Sequence, residues 1–282
     1  MTLEECNKYL LHTLATSLPL GEARSTVRLL LEDVAFASPV DVMCHGDRLL
    51  EPETVALLQT MAKRIAEGEP PQYVVGRARF CGMYLQVTPA TLIPRPETEG
   101  LVDIITDSHP SAHDLHILDI GTGSGCIAIA LARALPFARV DACDISADAL
   151  IIAEDNARQL HATVNFAQCD ILHEPIPNEP LYDVVVSNPP YIARSEAADM
   201  EARVLDFEPH TALFVDDNDP LIFYRAIARY AHAALKPKGM LYFEINPLFA
   251  KQLEQMLYNE GFTYVDIQRD FCQRLRFVIA RL

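Results

Sequence analysis

The sequence predicts a Rossmann-like α/β fold: a seven-stranded, doubly wound sheet preceded by a small helical domain and joined to it by a β-hairpin. Three observations predict it. From Leu115 onward, short apolar strands alternate with helical segments across brief links, the pattern of a doubly wound sheet. The first of those strands runs into a glycine-rich turn, Gly121-Thr122-Gly123-Ser124-Gly125. Ahead of both, roughly 70 residues carry apolar side chains at helical spacing.

Taken in order, Leu10, Leu11 and Leu14 mark one helix, and Val27, Leu30, Leu31 and Val34 a second. A third runs from Val55 through Ile65, after the Pro52-Glu53 start signal, and stops at Gly68. Helices this short do not hold alone, so residues 1–72 are expected to form a bundle. Pro70-Pro71 ends it. The stretch from Gln72-Tyr73-Val74-Val75-Gly76 to Val87 alternates as a β-hairpin with Gly82 near its turn, and residues 73–93 are read as a hairpin linker. Leu92-Ile93-Pro94-Arg95-Pro96-Glu97-Thr98-Glu99 is a proline-stiffened connector whose Pro96-Glu97 opens a helix. Residues 94–282 hold the sheet domain. Its expected strands are 116–120, 139–143, 163–168, 182–187, 240–245, 262–268 and 275–280. Its expected later helices are 124–135, 147–160, 221–235 and 248–259.

Bulk properties narrow the function classes. A chain of 282 residues, half apolar and 22% charged, is globular. Its net charge of −16 argues against a large phosphate-binding face, so no stable nucleic-acid binding is expected. Seven cysteines, Cys6, Cys44, Cys81, Cys126, Cys143, Cys169 and Cys272, are an odd, scattered set without a C-x-x-C pair. They read as small buried hydrophobes of a reducing compartment, not as a disulfide frame or a zinc site, and no metal is expected. The acidic start Met1-Thr2-Leu3-Glu4-Glu5 shows no secretory signal. Arg133 breaks the longest apolar run well short of a membrane span. A cytoplasmic monomer without membrane attachment is the expectation.

The most specific feature is the tip Asn188-Pro189-Pro190-Tyr191. The strand before it, Tyr182-Asp183-Val184-Val185-Val186-Ser187, is β-branched and suits burial on both faces of a parallel sheet. Two prolines then end the ladder, since neither donates a backbone N–H. What remains is a stiff turn carrying a carboxamide, bare carbonyls and an aromatic ring, the groups needed to grip a planar –NH2. A bare turn-and-stop signal is the bland reading; the position downstream of a glycine-rich loop favours the functional one.

The glycine turn departs from the dinucleotide fingerprint, because Cys126 stands where Gly or Ala would. It is not a P-loop either, since no Lys-Ser/Thr pair follows. Asp119 ahead of the glycines suits a cation such as a sulfonium or α-ammonium group better than a phosphate. Asp144, 23 residues beyond Gly121, can take both ribose hydroxyls. Asp170 and Ile171 can hold an adenine by one polar and one apolar contact. Singly, each carboxylate could merely cap a helix or face solvent. Together, at consecutive strand ends, they point to S-adenosylmethionine, with S-adenosylhomocysteine as product.

On these residues the chain resembles the PrmC/HemK family of protein-(glutamine-N5) methyltransferases. Gln72-Tyr73-Val74-Val75-Gly76, the connector 92–99, the turn 119–125 and Ser187 with the tip carry the likeness, and Phe207-Glu208-Pro209 adds to it. The resemblance implies a class I methyltransferase sheet and methylation of the glutamine in the Gly-Gly-Gln motif of class 1 peptide-chain release factors. It also implies that this partner docks between the amino-terminal bundle and the catalytic domain. Asn188 and the Pro189 carbonyl would accept the two N–H groups of the target amide, held rigid by Pro189 and Pro190, with the Tyr191 ring packed on its plane. No general base is required, because the methylated nitrogen can lose its proton to water. Departures lie at Glu244-Ile245-Asn246-Pro247, at Asp216-Asp217-Asn218-Asp219 and at Phe271-Cys272-Gln273-Arg274. They are expected to lie away from the methyl-transfer centre and to touch substrate docking. Two rivals remain: a DNA or RNA adenine-N6 methyltransferase, whose exocyclic amine presents the same planar group, and a binding adaptor without turnover.

Overall fold

The computed structural model describes residues 1–109 and 114–282, and the chain divides into two compact units. The first comprises Met1–Arg77 with Glu201–Phe207, the second Ala78–Met200 with Glu208–Leu282. The helical unit therefore runs past residue 72 and takes in a distant segment, while the body of the hairpin belongs with the sheet.

In the first unit, helices span Leu3–Leu14, Leu20–Val34, Pro39–Cys44, Pro52–Ala66 and Pro71–Val75, with Ala202–Phe207 added from far along the chain. Leu3, Leu10, Leu30, Leu58 and Ala62 are fully buried at its centre, as their spacing requires. Thr2 and Glu5 close a capping box on the first helix, and Ser38 and Asp41 do the same at Pro39–Cys44, which periodicity alone does not reveal. The segment Pro71–Val75 corrects the expected hairpin start. Pro71 sits in the first helical turn, Tyr73 and Val74 are buried, and Gly76 ends the turn at φ +81°. Alternation over so few residues cannot separate a strand from one helical turn.

Strands β1 (Arg77–Phe80), which from Ala78 on lies in the second unit, and β2 (Met83–Gln86) form a two-stranded sheet. Cys81 and Gly82 link them, both at positive φ, as a tight hairpin turn demands. The main sheet contains β3 (His116–Ile120), β4 (Arg139–Asp144), β5 (Asn165–Gln168) and β6 (Tyr182–Ser187). A short pair, β7 (Ile192–Ala193) and β8 (Phe214–Val215), stands apart from it. Strands β9 (Leu235–Glu244), β10 (Tyr264–Arg269) and β11 (Leu275–Arg281) complete the main sheet. Its order is β10-β11-β9-β6-β3-β4-β5, with β11 antiparallel to both neighbours and the other pairings parallel. Seven strands in this order bear out the predicted doubly wound sheet.

Helices cover both faces. Val184 and Val186 on β6 point into the cluster under Pro96–Ser108 and Cys126–Ala134, whereas Val185 points into the cluster under Ile222–Ala234 and Ala250–Asn259. All three are fully buried, each contributing about 1.5–3 kcal/mol of hydrophobic stabilisation. The chain order reverses at β3, whose neighbours are β6 and β4. The carboxyl ends of β3 and β6 therefore flank the crevice where open α/β sheets bind ligands.

The cysteines only partly follow expectation: all seven are free, Cys6 and Cys143 are buried, but Cys44 and Cys272 are exposed. Among the described residues, no helix is long and apolar enough to cross a membrane.

Leu241 on β9 is fully buried between sheet and helices, while Leu248 just beyond is 70% exposed. Leu241→Ala should lower unfolding free energy by about 2–5 kcal/mol in denaturant titrations of the full chain. Leu248→Ala should stay within about 0.5 kcal/mol.

Candidate active site

The glycine turn leaves β3 in a conformation that demands glycine. Gly121, Gly123 and Gly125 have φ of +76°, +55° and +81°. A Cβ at Gly121 or Gly123 would meet nothing within 4 Å, so a ligand can approach the main chain there. A Cβ at Gly125 would lie 2.9 Å from Ile129 Cδ1 and 3.2 Å from Ala153 Cβ, so this glycine serves packing. The turn is stitched to its neighbours. The N–H groups of Gly121 and Thr122 donate to the Cys143 carbonyl at 2.8 and 3.0 Å, and Gly123 N–H donates to Asp144 Oδ2 at 2.8 Å. Asp144 Oδ1 accepts from Ser146 N–H at 2.9 Å. Asn156, 1% exposed, ties the Ser124 carbonyl to both backbone groups of Gln86 on β2.

These contacts shape a cavity of about 400 Å³ at the carboxyl ends of β3, β4 and β6. A volume of this order suits a nucleoside-sized ligand. Of the expected site residues, Gly121, Gly123, Asp144, Asp170, Ile171, Asn188, Pro189 and Pro190 line it together. Arg194, His210, Phe214 and Phe223 line it as well, brought in by short helical turns, by β8 and by the helix Ile222–Ala234, none of which a local motif marks. Asp119, Thr122, Ser124, Gly125 and Tyr191 do not line it.

Asp119 lies wholly buried beneath the turn, where its Oδ2 accepts from Thr122 Oγ1 at 2.7 Å. Ala128 N–H also favours the carboxylate, yet Oδ1 lacks a well-formed hydrogen bond. Burial outweighs these donors and pushes the carboxyl up to about 7. Asp144 is also pushed up by burial, against the N–H groups it accepts from. Asp170 is held below the usual carboxylate range by its hydrogen bond with His173, at 2.7 Å.

The tip after β6 is braced from behind. Tyr191 packs against the core beneath the sheet, and its hydroxyl donates to Glu244 Oε1 at 3.0 Å. Burial, with the Glu244 charge beside it, pushes that hydroxyl far up, so it stays a donor. Glu244 is 1% exposed; Thr98 Oγ1 donates to its Oε2 at 2.6 Å and Arg276 stands 4.0 Å away. Asn188 Nδ2 donates to Thr98 Oγ1 at 3.4 Å. Asn246 Nδ2 donates to the Tyr191 carbonyl at 3.2 Å and to Glu196 at 2.9 Å. The departure at Asn246, expected away from the methyl-transfer centre, therefore supports the tip directly, beside Glu244. The turn at Phe271 to Arg274 joins them through Asp270, which accepts from Arg276 Nε at 3.3 Å. In the connector, buried Glu208 accepts from Ile93 N–H at 3.2 Å and from Arg95 at 2.6 Å.

The doubly wound sheet with a ligand crevice at its switch point defines a class I methyltransferase. Residues 98–206 match the Methyltransferase small domain family and residues 10–76 the PrmC N-terminal domain family. The hMettl16 catalytic domain, solved in complex with MAT2A 3'UTR hairpin 6, shares the fold at a TM-score of 0.56 and 17% identity, over 82% of each chain. A methyltransferase from Pyrococcus furiosus shares it at 0.52 and 16% identity, over 82% of this chain and 98% of the other. The release factor glutamine methyltransferase of Bacteroides thetaiotaomicron is 41% identical over 96% of this chain and 97% of its own. That of Flavobacterium psychrophilum is 38% identical over 96% and 95%. The chain belongs to the release factor glutamine methyltransferase family.

One consequence of the Asp119 environment is open to titration. An unfolded chain ionises this carboxyl near 3.9, the folded one near 7. Between those values the unfolded state releases its proton first, so the contribution of Asp119 to stability falls as pH rises and levels off above about 7. Asp119→Asn removes that slope. Calorimetry from about pH 4 to 7.5 should show the variant gaining on the parent as pH rises. A constant difference between the two would contradict the raised carboxyl.

Proposed function

We propose that this enzyme transfers a methyl group from S-adenosylmethionine to the side-chain amide nitrogen of the glutamine in the Gly-Gly-Gln motif of class 1 release factors. The observation that carries the reading is that Asn188 and Pro189 line the same cavity as the open backbone of Gly121 and Gly123. The activity for which relatives about 40% identical over most of the chain are named points the same way.

The residues fit the methyl donor. Open main chain at Gly121 and Gly123 admits a ligand, Asp144 offers lone pairs for ribose hydroxyls, and Asp170 with Ile171 offers one polar and one apolar contact for a base. Buried Asp119 acts from below, fixing Thr122 and favouring positive charge above the turn. When bound, S-adenosylmethionine supplies an electrophilic methyl carbon on a positively charged sulfur.

An amide nitrogen is a weak nucleophile because its lone pair is delocalised into the carbonyl. Asn188 Oδ1 and the Pro189 carbonyl accept its two N–H groups, which raises electron density on nitrogen and fixes its direction. Pro189 and Pro190 keep those acceptors from flexing, a positional contribution of at most about 7 kcal/mol. Tyr191 braces the turn through Glu244 and does not line the cavity, so its part is support. The proton leaves to water once nitrogen has given up its lone pair. An adenine-N6 substrate is disfavoured by the net charge of −16 and by the family to which the chain belongs.

Incubation with labelled methyl donor should label a class 1 release factor and leave its Gln→Ala variant unlabelled. Equal labelling of both would end the glutamine assignment. Asn188→Ala should cut turnover by about a hundredfold or more while calorimetry still shows the methyl donor bound.

A further inference from the structure

Which end of the Asn188 carboxamide faces the cavity decides whether it can accept from an –NH2 group or only donate. The answer lies in where one proton sits. Thr98 is 2% exposed and Glu244 1%. The Thr98 hydroxyl has a single proton, and it goes to Glu244 Oε2 across 2.6 Å. Toward Asn188 it can therefore offer only lone pairs, and Asn188 Nδ2 donates to it across 3.4 Å. The flipped carboxamide would set oxygen against oxygen with no proton between them, and its oxygen would be lost to a ligand.

Glu244 holds that direction. Burial raises its carboxyl, but the Thr98 and Tyr191 hydroxyls and the Arg276 charge favour the ionised form, which accepts and never donates and so cannot return a proton to Thr98. Its other oxygen takes the Tyr191 hydroxyl at 3.0 Å, and Arg276, itself held by Asp270, supplies positive charge at 4.0 Å. One carboxylate thus governs both ends of the tip, directly at Tyr191 and through one hydroxyl at Asn188.

We propose that Thr98 is a positioning residue for methyl transfer: its hydroxyl, oriented by Glu244, sets the polarity of Asn188 so that the carboxamide oxygen, and not its –NH2, meets the substrate amide. The proposal rests on the functional reading above, in which Asn188 accepts from a glutamine –NH2. Neither connector sequence nor glycine-loop chemistry assigns Thr98 this part.

The test compares Thr98→Val, which keeps volume but removes the hydroxyl, with Thr98→Ser, which keeps the hydroxyl. In Thr98→Val, kcat on a class 1 release factor should fall about tenfold or more, the worth of one oriented hydrogen bond. KM for the release factor should hold within about twofold, because a protein substrate is gripped far beyond one amide. The methyl-donor Kd from calorimetry should be unchanged. Thr98→Ser should return kcat to within about threefold of the parent. A second readout needs no turnover: the Asn188 side-chain amide resonances, identified by their loss in Asn188→Ala, should move in Thr98→Val and stay in place in Thr98→Ser. Parental kcat in Thr98→Val, equal loss in both variants, or unmoved Asn188 resonances would each overturn the proposal. If the parent fails to methylate the release factor, the functional reading falls, and the resonances still decide the polarity.

Discussion

Strands β3 and β6 pair in parallel with Ile120 opposite Ser187, and Ser187 Oγ donates to the Ile120 carbonyl at 2.6 Å where both strands end. Everything chemical in the second unit depends on that register. The glycine turn begins at the next residue of β3, and Asn188 is the next residue of β6. A slip of one residue would turn the valines of β6 to the wrong clusters and move the tip away from the turn. Because Val184, Val185 and Val186 are buried on both faces, the register is fixed by packing rather than by the loops it positions.

On this frame three buried carboxylates each hold one loop. Asp119 holds the glycine turn through Thr122, Glu208 holds the connector through Ile93 and Arg95, and Glu244 holds the tip through Tyr191 and Thr98. A buried charge costs several kcal/mol in lost hydration unless donors or a cation offset it. Glu208 has Arg95, with Nη2 at 2.6 Å, and Glu244 has Arg276 at 4.0 Å. Asp119 has hydroxyl and amide donors but no cation, and burial pushes its carboxyl up to about 7; burial raises Glu244 as well, against Thr98, Arg276 and Tyr191. Such a site favours positive charge near the turn, consistent with a sulfonium donor.

Much of this was legible in the residues. The strand-helix alternation foretold seven strands and helices on both faces, because periodicity reports burial directly. Gly121, Gly123, Asp144, Asp170, Ile171 and Asn188 were legible because each sits at a strand end, where local pattern and ligand crevice coincide. The helical turn Pro71–Val75 escapes the pattern because five residues alternate equally well in either structure. The Tyr191 ring, expected on the plane of the target amide, does not line the cavity, and its hydroxyl is drawn inward by a carboxylate on another strand. Thr98 and Glu244 carry no local mark as partners of the tip, since 90 and 53 residues separate them from Asn188 and Tyr191 in the chain.

The sequence by itself determined which residues can do the chemistry: glycines that open the backbone, carboxylates at strand ends, and a stiff carboxamide tip. Those properties belong to single side chains and their immediate neighbours, so they are written locally. Only the tertiary structure decided how the tip is aimed. Direction depends on where one hydroxyl proton goes, and that is settled by Glu244, brought to Thr98 and Tyr191 by the pairing of β9 beside β6. Local pattern can supply the donor and the acceptor, but a proton between residues far apart in the chain has an address only after folding.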